Sequence, residues 1–514
     1  MIRHPFAGAV SRRQFLKLAA MGGAGAGAGA GAGFGCSGNP FGFDTPAFLQ
    51  FGSTEEPIAP FTAPDRSEIG IVSHCLNRLT FGGVPGDYDR VSALHSEPEK
   101  AVDVFIEQQL TPESIDDGLA ERATRQFEYL QHAPGDLYNF TIDGLLDEML
   151  SYTVIRATRS KRQLHEVMVH FWTDHFNIDS SKGDCRWLTA AHDRDVIRKH
   201  AMGSFPEMLR ATATSPAMLW YLDGRVNRKA KDEDKPNENY ARELLELHTL
   251  GVDGGYTQED VMEAARALTG WTVKEGGLFG RGEPEFEKKL HDHGEKKILG
   301  HTIPAGDGWD DMSRLLDIVS LHPSTARYIA TKLCTRFIDD TPPVAAVAAV
   351  SKEFLASKGD IRKTLRTLFH TDAFRENRGN KFKRPFHYIV SALRTTGGTT
   401  DGKNSLLKFL HRMGHAPFHY PTPDGYPEEA TPWLSTIPWR WNFAIRYARN
   451  ELKGTRCDSE ALARMASLGG IEKAGLMPWL LGRLATPDEL EAWRACPDGD
   501  RLALLLASPA FQLF

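Results

Sequence analysis

The sequence has few of the features from which an activity is usually assigned. It contains no Gly-x-Ser-x-Gly elbow, phosphate-binding loop, dinucleotide-binding glycine pattern or His-Glu-x-x-His zinc motif. His165-Glu166 begins like the zinc motif, but His170 follows one residue too late to share its helix face with His165. Asp253-Gly254-Gly255 resembles the start of a calcium loop but lacks the alternating oxygen ligands. These absences exclude the enzyme classes that such motifs mark.

Charge of one sign and paired cysteines are also scarce. The net charge is −6 and no long basic run is present, so nothing indicates nucleic acid as a partner. None of the six cysteines lies in a Cys-x-x-Cys motif. Those that follow Cys36 are scattered singly: Cys75, Cys185, Cys334, Cys457 and Cys496. Five is odd, so at least one thiol stays free or pairs between chains, and buried small side chains are the expected role for most.

The amino terminus carries the most specific motif. Ser11-Arg12-Arg13-Gln14-Phe15-Leu16-Lys17 resembles a twin-arginine export signal, complete to the Phe-Leu-Lys that usually follows the arginine pair. Residues 18–35, largely alternating Ala and Gly, are too rich in glycine for a stable membrane span and indicate a cleavable signal. We expect residues 1–35 to direct the chain to the periplasm, the cell surface or the medium; a chance Arg-Arg pair is the alternative.

Cys36 is a candidate lipid-attachment site because it ends the glycine tract. Gly33-Phe34-Gly35 lacks the leucine of a lipoprotein signal, and Ala-x-Ala sites within residues 24–32 offer ordinary cleavage instead. Membrane contact is expected only through such a lipid anchor.

The composition of residues 36–65, rich in Gly, Pro, Ser and Thr, predicts a flexible linker. The body, residues 66–514, is long enough for one large helical domain or two lobes.

One stretch, residues 237–248, concentrates polar side chains on one helical face. At 100° per residue, one arc holds Glu238, Asn239, Arg242, Glu243 and Glu246, and the other holds Tyr240, Ala241, Leu244, Leu245 and Leu247. Gly251, Gly254 and Gly255 end this helix. Thr257 with Asp260 then predicts a capping box for a second helix over residues 258–269.

Another helix is predicted within residues 160–178. Its broad apolar stripe consists of Leu164, Val167, Met168, Phe171, Trp172, His175 and Phe176. His175 lies in that stripe, so a hydrogen-bonded core histidine is the main expectation and a catalytic or ligand role the alternative. On the flank, Glu166, His170 and Asp174 follow at i, i+4 and i+8. They form a ladder of metal-binding or proton-transfer groups, unless they only pair on a solvated face.

Helical periodicity dominates the rest of the chain. The predicted fold is mainly α, an irregular multi-helix body with one small β-hairpin near residues 285–303. That hairpin would pair residues 286–290 with 297–303 around His291-Asp292-His293-Gly294. Residues 413–442 are predicted to be mostly loop, and so long an aromatic-rich loop is often functional, although lining a core surface would also explain it.

Several motifs together resemble a known bacterial family. They are Asn77-Arg78-Leu79-Thr80-Phe81-Gly82, Phe171-Trp172 with His175-Phe176, residues 237–247, Tyr256-Thr257 with Asp260-Val261, Ala265-Arg266-Ala267-Leu268-Thr269-Gly270-Trp271, His291-Asp292 and Pro423-Asp424-Gly425-Tyr426-Pro427. From about residue 67 onward the chain is similar to the family catalogued as domain of unknown function 1800. The family has no established activity or agreed catalytic residues. The resemblance implies an exported protein, with a second exported protein resembling alkaline phosphatases and sulfatases as the expected partner.

Two classes of function fit these residues. The first is an exported hydrolase-like enzyme, metal-dependent or acid–base, acting on an envelope or extracellular polymer. The second is a non-catalytic exported scaffold or partner of the phosphatase- or sulfatase-like protein. A closed polar pocket with Glu243 and a histidine would favour the first class, and an exposed aromatic patch without such a pocket the second.

The candidate site joins polar groups from three segments. Glu243 and Asn239 are expected to face His170 or His291 across a polar cleft as catalytic groups. Glu243, His170 and Asp174 are the candidate ligands of a divalent metal. Glu238, Arg242 and Glu246 are expected to form a structural polar network, and the alternative for the whole set is a buried ion-pair network centred on Arg242. On either interpretation, truncating Arg242 to Ala should cost a few kcal/mol.

Overall fold

Amphipathic helices make up most of the fold, which confirms the mainly α prediction. The computed structural model describes residues 58–231, 233–276, 280–306, 308–468, 471–472 and 475–514. The predicted signal, Cys36 and most of the predicted linker lie outside these residues. The residues from 58 onward belong to one compact unit, Glu56–Phe514. Within the described residues, no helix is both long and apolar enough to cross a bilayer.

The helices are mostly short. The α-helices of the first half are Ile71–Leu79, Asp87–Ser92, Pro98–Leu110, Gly118–Thr124, Ile142–Arg159, Gln163–His175, Cys185–His192, Arg198–His200, Phe205–Ala213, Pro216–Tyr221, Asn239–Glu243 and Gln258–Ala267. Those of the second half are Asp311–Ser320, Pro323–Phe337, Val344–Ala356, Ile361–Phe369, Asp372–Glu376, Pro385–Thr395, Asn404–Arg412, Ile437–Ala448, Ser459–Met465, Leu476–Leu481, Pro487–Ala495, Arg501–Ala507 and Pro509–Gln512. Two π-helical segments, Asp193–Ile197 and Leu244–Thr249, continue α-helices. The 3₁₀ turns are Pro112–Ser114, Glu128–Gln131, Pro134–Asn139, Gly224–Val226, Lys288–Leu290, Thr431–Thr436 and Asp498–Asp500.

The central helix of the body is Pro385–Thr395. Every one of its residues is buried, and it packs against Ile142–Arg159. A proline in its first turn fits there because that position has no intrahelical partner for an N–H group. Arg384 immediately precedes the helix, with extended backbone, so its side chain leaves from the helix start.

Strands are few and short. They are Phe61–Thr62, Trp271–Val273, Pro284–Phe286, Lys296–Ile298, His301–Ile303, Thr399–Thr400, Thr455–Arg456, Ala466–Leu468 and Ile471–Glu472. Phe61–Thr62 pairs in parallel with Ala466–Leu468, which pairs antiparallel with Ile471–Glu472. Thr399–Thr400 pairs antiparallel with Thr455–Arg456. Phe61 is buried, so the expectation of a flexible linker as far as residue 65 was wrong for its last residues.

A hairpin forms within the predicted range, but with different partners. Lys296–Ile298 pairs with His301–Ile303, while Pro284–Phe286 pairs back with Trp271–Val273. The prediction that 286–290 pairs with 297–303 was therefore wrong. The reason lies in the turn: Leu299 and Gly300 have φ angles of 50° and 78°. Two successive positive φ values match the tight turn that right-twisted hairpins favour, so the chain reverses there and not at His291–Gly294.

Several local predictions are confirmed. Thr257 and Asp260 form the capping box at the start of Gln258–Ala267. The five cysteines that the structure describes are all unpaired thiols, and all but Cys496 are buried.

The prediction of loop for residues 413–442 was wrong at the end of that range, because Ile437–Ala448 is a helix with Pro438 in its first turn. Its apolar residues Phe443, Ala444 and Tyr447 face the core, which stabilises a helix there.

Candidate functional site

The ladder on the Gln163–His175 helix faces the interior of the protein. Glu166 is 3% exposed and His170 is 9% exposed. The Asp174 side chain is 15% exposed. The alternative of pairing on a solvated face is therefore wrong. Ile142–Arg159 and the π-helical Asp193–Ile197 both pack against this helix and cover the ladder. Charged groups buried in this way need partners, and the structure provides them in two networks.

The first network surrounds Glu166. Its carboxylate accepts hydrogen bonds from Arg156 Nε at 2.8 Å and Arg198 Nη1 at 2.8 Å. Arg156 also pairs with Asp117 at 2.7 Å, and Arg198 with Asp193 at 2.9 Å. Burial alone would raise the pKa of Glu166, but the two guanidinium groups hold that pKa well below its usual value. Glu166 is thus a charged, structural member of the ladder.

The second network centres on Arg384. Its Nη1 donates to Asp174 Oδ2 at 2.6 Å, and its Nη2 donates to His170 Nδ1 at 3.0 Å. The same Nη2 lies 3.2 Å from Glu428 Oε2. Glu428 also lies 3.8 Å from Arg336. In the same region, Lys381 pairs with Asp340. One arginine thus joins the ladder to the loop that carries Glu428.

His415, from the predicted loop, completes a compact group with His170 and Asp174. One nitrogen of each histidine and one Asp174 oxygen lie within 4.8 Å of one another. No other group of three such residues of metal-ligand type was found in the described part of the chain. His415 is fully buried, and its ring lies 4.5 Å from that of Tyr426 and 4.8 Å from that of Trp433. Sequence reasoning marked the aromatic-rich loop but did not single out His415.

The loop is held tightly against Asp174. Asn177 Nδ2 donates to the carbonyl oxygens of Tyr420 and Thr422 at 2.9 and 2.8 Å. At Gly425 the φ angle is 74°, and a Cβ atom would lie 2.0 Å from the Asp174 carbonyl oxygen. Only glycine fits such an approach. The Pro423–Pro427 motif therefore brings the loop onto the ladder.

Hydrogen-bond donors fix the tautomers of both histidines. Because Arg384 can only donate, His170 Nδ1 must accept, which places the proton of the neutral ring on Nε2. The backbone N–H of Phe386 donates to His415 Nδ1 at 3.1 Å, so that ring also carries its proton on Nε2. His415 Nε2 is buried without a hydrogen-bond partner among the described residues. In this arrangement neither ring has a free lone pair for a metal ion, and both present N–H donors.

Burial controls the charge states in this group. It lowers the pKa of His170 and of His415 well below the usual value, and the nearby Arg384 charge lowers both further. Both rings are therefore neutral at physiological pH. Burial raises the pKa of Asp174 to about 6, although Arg384 partly opposes the shift. A carboxyl group in that range can both accept and release a proton near neutral pH.

A small cavity lies between the two networks. Its volume is about 10 Å³, which is the space of one water molecule. The residues that line it are Phe81, Thr153, Ala157, Glu166, Val169, His170, Thr173, Asp174, Asp193, Arg198, Phe386, Pro417 and Phe418. Groups from both networks thus border the same space.

The predicted cleft around Glu243 does not form. Asn239 donates its Nδ2 to the Leu222 carbonyl oxygen at 3.0 Å, and no described hydrogen bond or ion pair joins Glu243 to a histidine. Four residues of the apolar arc, Tyr240, Ala241, Leu244 and Leu245, are buried, whereas Leu247 and the polar arc are at least partly exposed. Burial raises the pKa of Glu243, and the nearby Glu246 and Asp424 raise it further. Glu246 accepts a hydrogen bond from Tyr256 at 3.3 Å.

Arg242 is not the centre of a buried network. Its side chain is 39% exposed and pairs with Glu238, 37% exposed, at 3.0 Å. Arg242 also donates to Gln258 at 2.9 Å. The premise of a few kcal/mol for Arg242→Ala, a set of buried carboxylates around Arg242, is therefore wrong, because exposed pairs contribute little. The buried network exists, but around Arg384 and Glu166.

The other singled-out histidines have structural partners. His291 Nδ1 lies 2.8 Å from the Thr269 carbonyl oxygen, and its Nε2 lies 3.1 Å from Asp311 Oδ2. It does not meet Glu243 or His170. His175 is buried, with Nε2 3.2 Å from the His248 carbonyl oxygen. The expectation of a hydrogen-bonded core histidine is confirmed for His175.

Two further buried cations lack any described carboxylate partner. Lys383 lies over the Phe511 ring at 3.8 Å, and its backbone N–H donates to the Gln512 carbonyl oxygen. Arg440, fully buried, donates Nη1 to the Gln512 side chain at 3.0 Å. Burial, together with the Arg440 charge, lowers the pKa of Lys383 to about 7. The charged form of Lys383 is thus costly in the folded state.

Glu166→Gln should destabilise the protein by about 3 kcal/mol, because it removes the carboxylate shared by two buried arginines. Arg242→Ala is the matched control and should cost at most about 0.5 kcal/mol, as an exposed i,i+4 pair is lost. Urea denaturation followed by far-ultraviolet circular dichroism measures both. Equal losses in the two variants would contradict the assignment of the buried network.

Lys383→Met should stabilise the protein at pH 7 by about 1–3 kcal/mol, since a costly buried charge is replaced by an apolar group. The folded-state pKa of about 7 lies below the unfolded value near 10.5. The cost of Lys383 is therefore absent above pH 10.5 and grows as the pH falls to about 7. Urea denaturation at pH 7 and pH 9 should show the variant's advantage shrinking at pH 9; a constant advantage would refute this origin.

Comparison with known proteins supports the resemblance seen in the sequence. The family model described as "Protein of unknown function (DUF1800)" matches residues 74–513, which include every residue of both networks and of the His170–Asp174–His415 group. Neither the curated proteins nor the solved structures gave a match. Because this match spans most of the chain, the chain belongs to the DUF1800 family of proteins of unknown function.

Proposed function

We propose that the protein is an exported hydrolase-like enzyme that works by acid–base chemistry at Asp174, on an envelope or extracellular polymer. The observation that carries the proposal is the buried His415 Nε2–H donor without a described partner, on a ring that has one nitrogen within 4.8 Å of an oxygen of the partly exposed Asp174 carboxyl group. A donor left unsatisfied in a buried position costs free energy, and a ligand oxygen would relieve that cost. His170 carries a second neutral N–H donor on Nε2, while its Nδ1 faces Arg384 and Asp174.

The roles follow from the charge states. Asp174 accepts a proton from water and later returns it to the leaving group, a task that suits a carboxyl pKa of about 6. His415 and His170 donate hydrogen bonds to the substrate oxygen on which negative charge develops. Arg384 holds Asp174 and His170 in place through its two hydrogen bonds. Substrate reaches the group from the side on which Asp174 is exposed.

This proposal chooses acid–base chemistry over the metal-dependent alternative. A divalent metal at His170, Asp174 and His415 would need the lone pairs that Arg384 and the Phe386 N–H group now engage. It would also lie beside the Arg384 guanidinium, and like charges repel strongly in a buried site. Glu243, the remaining predicted ligand, is not part of the group.

Export is part of the proposal. The Arg12-Arg13 motif supports transport by the twin-arginine pathway to the periplasm, the surface or the medium, with Cys36 as the candidate lipid anchor.

A second function is favoured by a different observation. Leu434, Trp441 and Ile445 are 55, 50 and 41% exposed along one helix and its preceding turn. Such an apolar surface suits a non-catalytic partner of an exported phosphatase- or sulfatase-like protein.

Purified protein should hydrolyse at least one of three probes: p-nitrophenyl acetate, p-nitrophenyl phosphate or bis(p-nitrophenyl) phosphate. Asp174→Asn should lower the rate by about 10²–10⁴-fold because it removes the proton acceptor. The rate should not change with EDTA, and elemental analysis should find no stoichiometric metal. Asp195→Asn, an exposed carboxylate outside the group, is the control. A stoichiometric metal with EDTA-sensitive turnover would overturn the acid–base assignment, and no turnover of any probe would favour the partner function.

Replacing Arg12 and Arg13 together by Lys should leave the protein in the cytoplasm, because the twin-arginine pathway reads both guanidinium groups. Cell fractionation and immunoblotting measure this. Lys17→Arg is the control and should be exported normally. Normal export of the double variant would remove the pathway assignment. In the same assay, Cys36→Ser should release the protein from membranes only if Cys36 carries the lipid.

A further inference from the structure

The cavity beside the Gln163–His175 helix contains polar atoms that the two networks leave unsatisfied. Asp193 and Arg198 both line it. Asp193 Oδ1 and Arg198 Nη2 are buried without a hydrogen-bond partner among the described residues, although each side chain has its other atoms paired. A buried acceptor and a buried donor are thus left open on two residues that line a space the size of one water molecule.

The local backbone places Asp193 at this position. Asp193 begins the π-helical segment Asp193–Ile197, which continues directly from Cys185–His192. π-helical turns are rare and occur frequently at functional sites. Here the segment contacts the Gln163–His175 helix, and Asp193 pairs with Arg198 and lines the cavity beside that helix. Burial raises the pKa of Asp193, and Arg198 opposes that shift.

Two residues of the proposed catalytic group also line the cavity. Asp174 and His170 line the same space as Asp193. A water molecule there would receive a hydrogen bond from Arg198 Nη2 and donate one to Asp193 Oδ1. Its second hydrogen would remain free for another group that lines the same cavity, such as Asp174. Two fixed partners would leave this water little orientational freedom.

We propose that Asp193 is a positioning residue for the hydrolytic water, which it holds with Arg198 in this cavity for deprotonation by Asp174. The inference rests on the proposed function. In the step, the water O–H bond breaks and its proton moves to the Asp174 carboxylate. The water oxygen forms a bond to the electrophilic carbon or phosphorus of the substrate, and the leaving group departs with the proton from Asp174.

The first test is crystallographic and needs no substrate. A high-resolution structure of the mature wild-type chain should show one ordered water within about 3.2 Å of both Asp193 Oδ1 and Arg198 Nη2. In Asp193→Asn that water should lose occupancy or shift. An empty cavity, or an Asp193 Oδ1 atom paired with a protein group, overturns the inference.

The second test is kinetic, with the probe that the wild-type protein hydrolyses. Asp193→Asn should lower kcat at least tenfold and leave KM within twofold, because substrate binding is unchanged while the water is misplaced. The variant should still fold, since Arg198 keeps its pair with Glu166. Asp117→Asn is the matched control: it removes a buried carboxylate of the same network that does not line the cavity. Its kcat per folded molecule should stay within twofold of the wild type.

The outcomes separate the inference from the proposed function. Equal kcat losses in Asp193→Asn and Asp117→Asn would mean a structural effect only, and overturn the inference while hydrolysis at Asp174 stands. An unchanged kcat in Asp193→Asn does the same. No hydrolysis by the folded wild-type protein overturns the proposed function and, with it, the role of Asp193.

Discussion

The guanidinium group of Arg384 is the interaction on which the candidate site depends. It reaches Asp174, His170 and Glu428 at once, from the start of a helix that is buried along its whole length. Without it, two carboxylates would be left poorly compensated in the interior, and the tautomer of His170 would be free to change. The same residue thus stabilises the packing of helix and loop and decides which hydrogen atoms the site presents. Stability and chemistry cannot be separated at this position.

A second consequence concerns charge in the interior. The Gln163–His175 helix carries a charged Glu166, a neutral His170 and a protonatable Asp174 along one face, within three turns. Glu166 has two arginines and stays ionised, whereas Asp174 shares one arginine with Glu428 and His170. Similar carboxyl groups thus acquire different protonation behaviour from the number of cations around them. That difference is what makes Asp174, and not Glu166, the candidate for proton transfer.

The sequence predicted local structure better than it predicted which segments meet. Helical periodicity, the Thr257–Asp260 capping box and the core position of His175 depend on neighbours within a few residues, and these predictions are confirmed. The predicted hairpin pairing was wrong because the position of the turn depends on the backbone conformation of Leu299 and Gly300. Glu243 was favoured because its helix shows the highest density of polar groups. Arg384 and His415 were missed because they lie far from Asp174 in sequence, and only the tertiary fold brings them together.

The unpaired cysteines have a consequence for where this fold can form. Cys75, Cys185, Cys334 and Cys457 are buried, and none forms a disulfide with another described residue. Burial raises the pKa of each of these thiols, so little thiolate is available to react with an oxidant. The described fold therefore needs no oxidation step. The four buried thiols place no redox requirement on folding, whether the chain folds in a reducing compartment before it crosses a membrane or in an oxidising one afterwards.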